Sequence, residues 1–254
     1  RDPNDGTVEV TTRPYCFYPE SPGVNFITVR GFVFAHAATQ WAAPTAEQQG
    51  CVGTHWSKGW IIENNVVRES KCVGISLGKD RASGDNHWSA NRAAGMSGSD
   101  AYNDVVERAT AGGWNRETVG SHIVRNNLIS DCEMAGICGS LGAIFSTVSN
   151  NCISNIHVKR TFGGFEMAGI KFHAAVDTLI EHNTVYDTGN YGIWLDWMTQ
   201  GTRVSRNLLF NNEISDIFVE VSHGPYLVDS NIMLSETSIR SWSQGGAYVH
   251  NVIG

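Results

Sequence analysis

LIEHNTVYD (residues 179–187), RVSRNLLF (203–210) and LVDSNIML (227–234) are versions of one phrase, each with an asparagine at the same place. Asn183, Asn207 and Asn231 therefore recur at intervals of 24 residues. IVRNNLI (123–129) and VSNNCIS (148–154) carry the beat back through Asn127 and Asn151, again 24 apart, and IIENNVVRE (61–69) adds Asn65. The step from Asn151 to Asn183 is 32 residues, one period with an eight-residue excess. A fixed period of this length marks a solenoid.

Within each period the apolar residues form short β-branched runs broken by Asn, Asp, Ser and Gly, which is strand and turn chemistry. The phrase always runs in the same direction, so the strands are expected to stack in parallel and not as hairpins. About 24 residues accommodate three short strands and three turns, with coils about 4.8 Å apart. The expected fold is all-β: a right-handed parallel β-helix, a single domain over residues 1–254, with the asparagines stacked as a ladder. Asn suits the bend because it tolerates left-handed backbone and its amide can bond both neighbouring coils.

Two insertions interrupt the period. Residues 81–120 are polar and glycine-rich, with one expected helix, SDAYNDVVERATA (99–111), capped by Ser99 or Asp100. A loop at 159–167 reads KRTFGGFEM. The stretch 37–56 is a third irregular segment. Long loops on a regular scaffold tend to carry function.

The chain has 254 residues and a net charge of −7, which offers no basic face for nucleic acid. No run approaches the roughly 18 apolar residues of a membrane span. The opening RDPNDG has no Met, which leaves room for a leader; cytoplasmic and secreted locations are both compatible. The six cysteines (16, 51, 72, 132, 138, 152) have no CxxC or zinc spacing and are expected as free thiols in the core, with one disulfide from Cys16 or Cys51 left open.

A second phrase recurs after the asparagine: VGISLG (73–78), AGICGS (135–140), AGIKFH (168–173), YGIWLD (191–196), SDIFVE (215–220) and TSIRSW (237–242). Aligned on the shared Ile, these are one strand in successive coils. Side chains alternate across a strand. Ile193, Leu195, Ile217 and Val219 should face the core; Trp194, Asp196, Phe218 and Glu220 should face out. The outward rows are then Ser76, Cys138, Lys171, Trp194, Phe218, Arg240 and Gly78, Ser140, His173, Asp196, Glu220, Trp242. Asp196 and Glu220 become neighbours on one open face, although like charges side by side in a sheet are destabilising. Carboxyl groups about 5 Å apart suit a retaining glycosidase, whereas inverting enzymes need about 6.5–9.5 Å.

Trp194, Trp197, Phe218 and Trp242 surround the pair with flat rings suited to sugars. Glu166 comes from the inserted loop, and His173 and His223 flank the pair. Lys171 either holds a sugar hydroxyl or offsets negative charge. His36, His55, His122 and His250 are read as structural. No metal or cofactor is expected.

FEMAGIKFH (165–173), YGIWLDW (191–197) and DIFVEVSHGP (216–225) together resemble the β-xylosidases of glycoside hydrolase family 120; the opening NDGTVEVTTR (4–13) is a weaker likeness. The resemblance implies exo action on xylo-oligosaccharides with retention, Asp196 as nucleophile, Glu220 as general acid/base and Glu166 near the first subsite. It also implies a β-sandwich domain, for which this chain has no obvious counterpart. AYVHNVIG (247–254) begins another coil, so a fragment, a processed chain, a homo-oligomer or another partner covering that end is expected. Two rival readings remain: a polysaccharide lyase or epimerase, and a non-catalytic glycan-binding β-helix.

Overall fold

The computed structural model describes residues 2–44, 46–79, 98–161 and 163–254. Among these, three parallel sheets of eight, eight and seven strands run the length of a solenoid, each coil giving one strand to each sheet except the last coil, which gives two strands. Every asparagine of the repeat takes part in the ladder. The Nδ2 of Asn65, Asn127, Asn151, Asn183, Asn207 and Asn231 donates to Oδ1 of the next ladder residue at 2.9–3.1 Å, ending at Asn251. The same Nδ2 donates to a carbonyl of the preceding coil, as Asn207 does to Ile180 at 3.1 Å. The backbone N–H of each Asn also bonds the next Oδ1, as from Asn183 to Asn207 at 2.9 Å. Both amide hydrogens and both lone pairs are thus used in a buried row.

The structure corrects one part of the turn argument. The left-handed residue is not the ladder Asn but the one before it: Asn64, Asn126, Asn150, His182, Arg206, Ser230 and His250, with φ between 54° and 58°. The ladder side chain stabilises a bend made by its neighbour, which explains why that neighbour varies while the Asn recurs. Replacing Asn207 with alanine removes the Oδ1 that accepts two bonds from Asn183 and the Nδ2 that donates to Ile180 O and Asn231 Oδ1, at a cost of about 3 kcal/mol. The expected fall in melting temperature is about 6–12 °C by circular dichroism; a fall under about 1 °C would deny the ladder its structural role.

The core is a column of aliphatic side chains running from Val29 to Met233 and including Ile137, Ile170, Ile193 and Ile217 in register. The seven-stranded sheet carries the site. Its strands Ala168–His173 and Tyr191–Asp196 are buried along their whole length, on the outer face as well as the inner. That is the pattern of a sheet covered on both sides, and at these two strands it corrects the expectation that the outer face lies open to solvent; the face opens again toward Glu220 and Trp242.

One cover is the helix Gly98–Ala111, which packs Val105 and Ala109 against Leu141 and Ala174. It starts at Gly98, so Ser99 and Asp100 lie inside its first turn and not at the cap. Residues 81–97 of the expected insertion lie outside the described residues. The other cover is the 159–167 loop. Lys159 N and Thr161 N donate to the Glu133 carboxylate at 3.1 and 3.2 Å, and Trp41 Nε1 donates to Phe165 O at 3.0 Å. The 37–56 stretch thereby props the loop that presents Glu166; Pro44 O also accepts from Ser140 Oγ. All six cysteines are free thiols, but Cys16 is exposed and not a core residue.

Candidate active site

Strand pairing sets the two outer rows. Ser140, His173, Asp196, Glu220 and Trp242 are register partners across five successive coils; Cys138, Lys171, Trp194, Phe218 and Arg240 form the row two residues earlier. Asp196 and Glu220 therefore stand on adjacent strands of one face, separated by the strand spacing of about 4.8 Å at the backbone. Each ends its strand, and the chain then turns sharply through left-handed residues: Trp197 (φ 47°) and Met198 (65°) after Asp196, Val221 (47°) after Glu220. Glu166 itself has φ 78°. Leu141 (φ 64°) and Ala174 (54°) make the same turn after the two preceding strands of this sheet, so the bend belongs to the coil repeat.

Lys171 organises the anions. Its side chain is 1% exposed, and its ammonium lies 2.8 Å from Asp196 Oδ2, 3.0 Å from Glu166 Oε2 and 3.2 Å from the centre of a Trp194 ring. His173 Nε2 is 2.7 Å from Asp196 Oδ2 and 3.6 Å from Glu166 Oε2. Two carboxylates and two cationic or potentially cationic groups thus share one dry site. Glu166, His173 and Asp196 offer ligand atoms within 4.8 Å of one another, a spacing that suits a divalent cation. The Lys171 ammonium already places a positive charge between the two carboxylates.

The environment drives the two strand-end carboxyls apart. Burial alone would raise the Asp196 pKa, but the charges of His173 and Lys171 and their hydrogen bonds overcome it and hold Asp196 far below the usual carboxylate range. Glu220 goes the other way. Burial raises it, the charge of Asp196 raises it further, and the more distant Lys171 only partly opposes this. Glu166 is also lowered: its burial is outweighed by Lys171 and His173. His173 is raised: its burial is outweighed by the charge of Asp196 and by its closeness to both carboxylates. Two carboxyls with pKa values pushed in opposite senses are the signature of separate acid and anion roles.

Replacing Lys171 with methionine leaves two buried carboxylates with His173 as their one remaining shared partner. Removing one member of a buried ion set costs about 3 kcal/mol or more, read as a lower urea midpoint. Lys171 also holds down the Glu220 pKa, so the same variant should titrate Glu220 at higher pH. An unchanged midpoint would contradict this arrangement.

Trp194 and Phe218, in register, are 6% and 1% exposed. With Tyr191 they form a packed floor, ring centroids 4.8–5.4 Å apart. The Trp194 face is taken by Lys171, and its Nε1 is buried without a partner of hydrogen-bonding geometry. Trp242, beside Glu220, is 63% exposed and meets Phe218 edge-on at 5.2 Å. Trp197 is half-buried next to Asp196. His223 is exposed beyond the end of the Glu220 strand and adds no hydrogen bond or ion pair to the cluster among the described residues.

Tyr102 escaped the sequence reading. Carried by the inserted helix, its ring lies 5.2 Å from that of His173 and 4.7 Å from that of Trp197. Burial raises its pKa, and the charges of Glu166, Asp196 and Glu220 raise it further. Its hydroxyl therefore keeps its proton well above neutral pH.

The chain matches the family model described as "Right handed beta helix region" over residues 51–253. No curated protein matches it. Among solved structures it is similar to one described as "The complex structure of XylC with xylose", with 51% identity and a TM-score of 0.90 over 94% of this chain and 38% of that one. Another, described as "Glycoside hydrolase", is 13% identical with a TM-score of 0.46, over 82% of this chain and 37% of that one. The chain thus spans 38% of the length of the xylose-bound relative.

Proposed function

The chain belongs to the right-handed β-helix family, and from that premise we propose that it is a retaining glycoside hydrolase, an exo-acting β-xylosidase on xylo-oligosaccharides. The observation that carries the reading is the Asp196–Glu220 pair: register partners on one face, one carboxyl held ionised and the other biased toward its protonated form. The xylose complex of the 51% identical relative supports the sugar class, as do the FEMAG, WLDW and FVEV segments that resemble family 120.

In this mechanism Asp196 attacks the anomeric carbon while protonated Glu220 delivers its proton to the leaving glycosidic oxygen. The glycosyl–Asp196 ester forms and the shortened oligosaccharide departs. Glu220, now a carboxylate, takes a proton from water, and the resulting attack at the anomeric carbon releases the sugar and frees Asp196. Glu166 remains an anion beside the nucleophile and accepts hydrogen bonds from sugar hydroxyls, with Lys171 and His173 holding it in place. Trp242 is the exposed aromatic on the Glu220 side, placed to meet the departing sugar.

Tyr102, whose ring lies beside His173 and Trp197, donates its hydroxyl proton to a substrate oxygen. Tyr102→Phe should lower kcat/KM about 10–30-fold, about 1.4–2 kcal/mol, with a melting temperature within about 1 °C of wild type. Full activity in this variant would remove Tyr102 from the site.

The test of the reading is hydrolysis of nitrophenyl β-xyloside and xylobiose, compared with a uronate polymer in calcium. Release of nitrophenol and xylose, insensitive to chelator, is expected. Calcium-dependent formation of an unsaturated, ultraviolet-absorbing product would support a lyase instead, and glycan binding without turnover a non-catalytic protein.

A further inference from the structure

Cys16 and Cys51 meet at the N-terminal edge of the sheet that carries the site. Cys16 N and Phe17 N both donate to Cys51 O, at 2.8 and 3.1 Å, and Gly53 N donates to Phe17 O at 3.0 Å. Phe17 and Val52 form a parallel bridge. Residues 16 and 17 thereby act as a short extra strand on Gly50–Gly53 and cover backbone groups that an open sheet edge would leave unpaired. The two sulfurs lie 3.5 Å apart, and Cys16 Sγ is also 3.4 Å from Ala35 O. Backbones bonded this way fall within the roughly 4.4–6.8 Å Cα separation that a disulfide spans. Rotation of the side chains is then enough to bring the sulfurs to about 2.05 Å.

The pair is also asymmetric. Cys16 is exposed and Cys51 is fully buried. An oxidant can reach the first thiol from solvent, and the second is reached only through the first. We propose that Cys16 and Cys51 form a disulfide that fastens the N-terminal segment to the edge of the site-bearing sheet. With oxidised glutathione, the Cys16 thiolate attacks one glutathione sulfur and expels a glutathione thiolate. Cys51 loses its proton and attacks Cys16 Sγ, expelling the second. The two protein thiols lose two electrons and two protons, and one glutathione disulfide becomes two glutathione thiols. Burial, with Cys16 as neighbour, pushes the Cys51 thiol well up, so the second step should quicken as pH rises. The bond links residues 35 apart in sequence, a loop length that restricts the unfolded chain appreciably.

The test is to incubate the whole chain with oxidised glutathione and map peptides without reduction. The expected result is a Cys16–Cys51 linked peptide pair, a loss of two titratable thiols, and a melting temperature higher by about 5 °C or more. Cys16→Ser, at the exposed position, should fold normally, lose no thiols and gain no stability on the same treatment. A glutathione adduct that persists on Cys16, a link joining other cysteines, or an unchanged thiol count would each overturn the proposal.

Discussion

Replacing Asp196 with glycine should lower hydrolysis of nitrophenyl β-xyloside by about 10⁴-fold or more, about 5.5 kcal/mol in barrier height, and azide should restore turnover. The rescued product should be the α-glycosyl azide, because azide would enter the vacated space and attack the face that the account assigns to Asp196. The size of the effect follows from the chemistry: without a nucleophile in that position no covalent intermediate forms. The variant also takes one anion from Lys171 and His173, which then share Glu166 alone. Asp196→Asn, which keeps the volume, serves as the control. Equal loss in both variants, with rescue only in glycine, assigns the role to the carboxylate; full activity in Asp196→Asn would remove Asp196 from the reaction.

Replacing Glu220 with alanine gives a loss that depends on the leaving group. Xylobiose, whose departing oxygen needs a proton, should fall about 10³-fold in kcat/KM. An activated dinitrophenyl xyloside should fall less than about 10-fold in kcat/KM, since its leaving group departs unaided. Its steady-state rate should still be slow, because water is no longer activated to cleave the ester; a burst of dinitrophenol should reveal the trapped intermediate. Azide should speed this second step and yield the β-azide. The pH profile carries the same information. Glu220 must be protonated for the first step, so activity falls as pH rises through its pKa. Its raised pKa moves that fall to higher pH than an ordinary glutamate would allow. In Glu220→Ala the alkaline limb should vanish for the activated substrate. Retention of that limb would place the titrating acid elsewhere.

Much of this site was legible in the chain because its two determinants are periodic. The 24-residue recurrence of Asn183, Asn207 and Asn231 defined the coil, and the shared Ile of AGIKFH, YGIWLD and SDIFVE set the register in which His173, Asp196 and Glu220 align. Alternation along a strand then separated Trp194 and Asp196 from Ile193 and Leu195. What was not legible lies off the period. Tyr102 belongs to a helix inserted between coils, and nothing in the local pattern there says which face of the solenoid the helix covers. Trp41 reaches the Glu166 loop from a stretch with no repeat to align. The buried state of Lys171 and Trp194 depends on those two covers, so a reading confined to the sheet left them exposed. The left-handed residues before each ladder Asn were hidden for a different reason: the bend needs the ladder more than it needs a particular side chain in the bend. His223 follows Glu220 closely in sequence, yet the turn after the strand carries it out to solvent.

The most direct test of the Asp196–Glu220 pair is the anomer first released from xylobiose or nitrophenyl β-xyloside, followed by proton magnetic resonance in the first minutes of reaction. β-Xylose should appear first, with the α-anomer growing in only at the rate of mutarotation. If α-xylose appears first, water attacks directly, and the double-displacement role given to Asp196 is wrong.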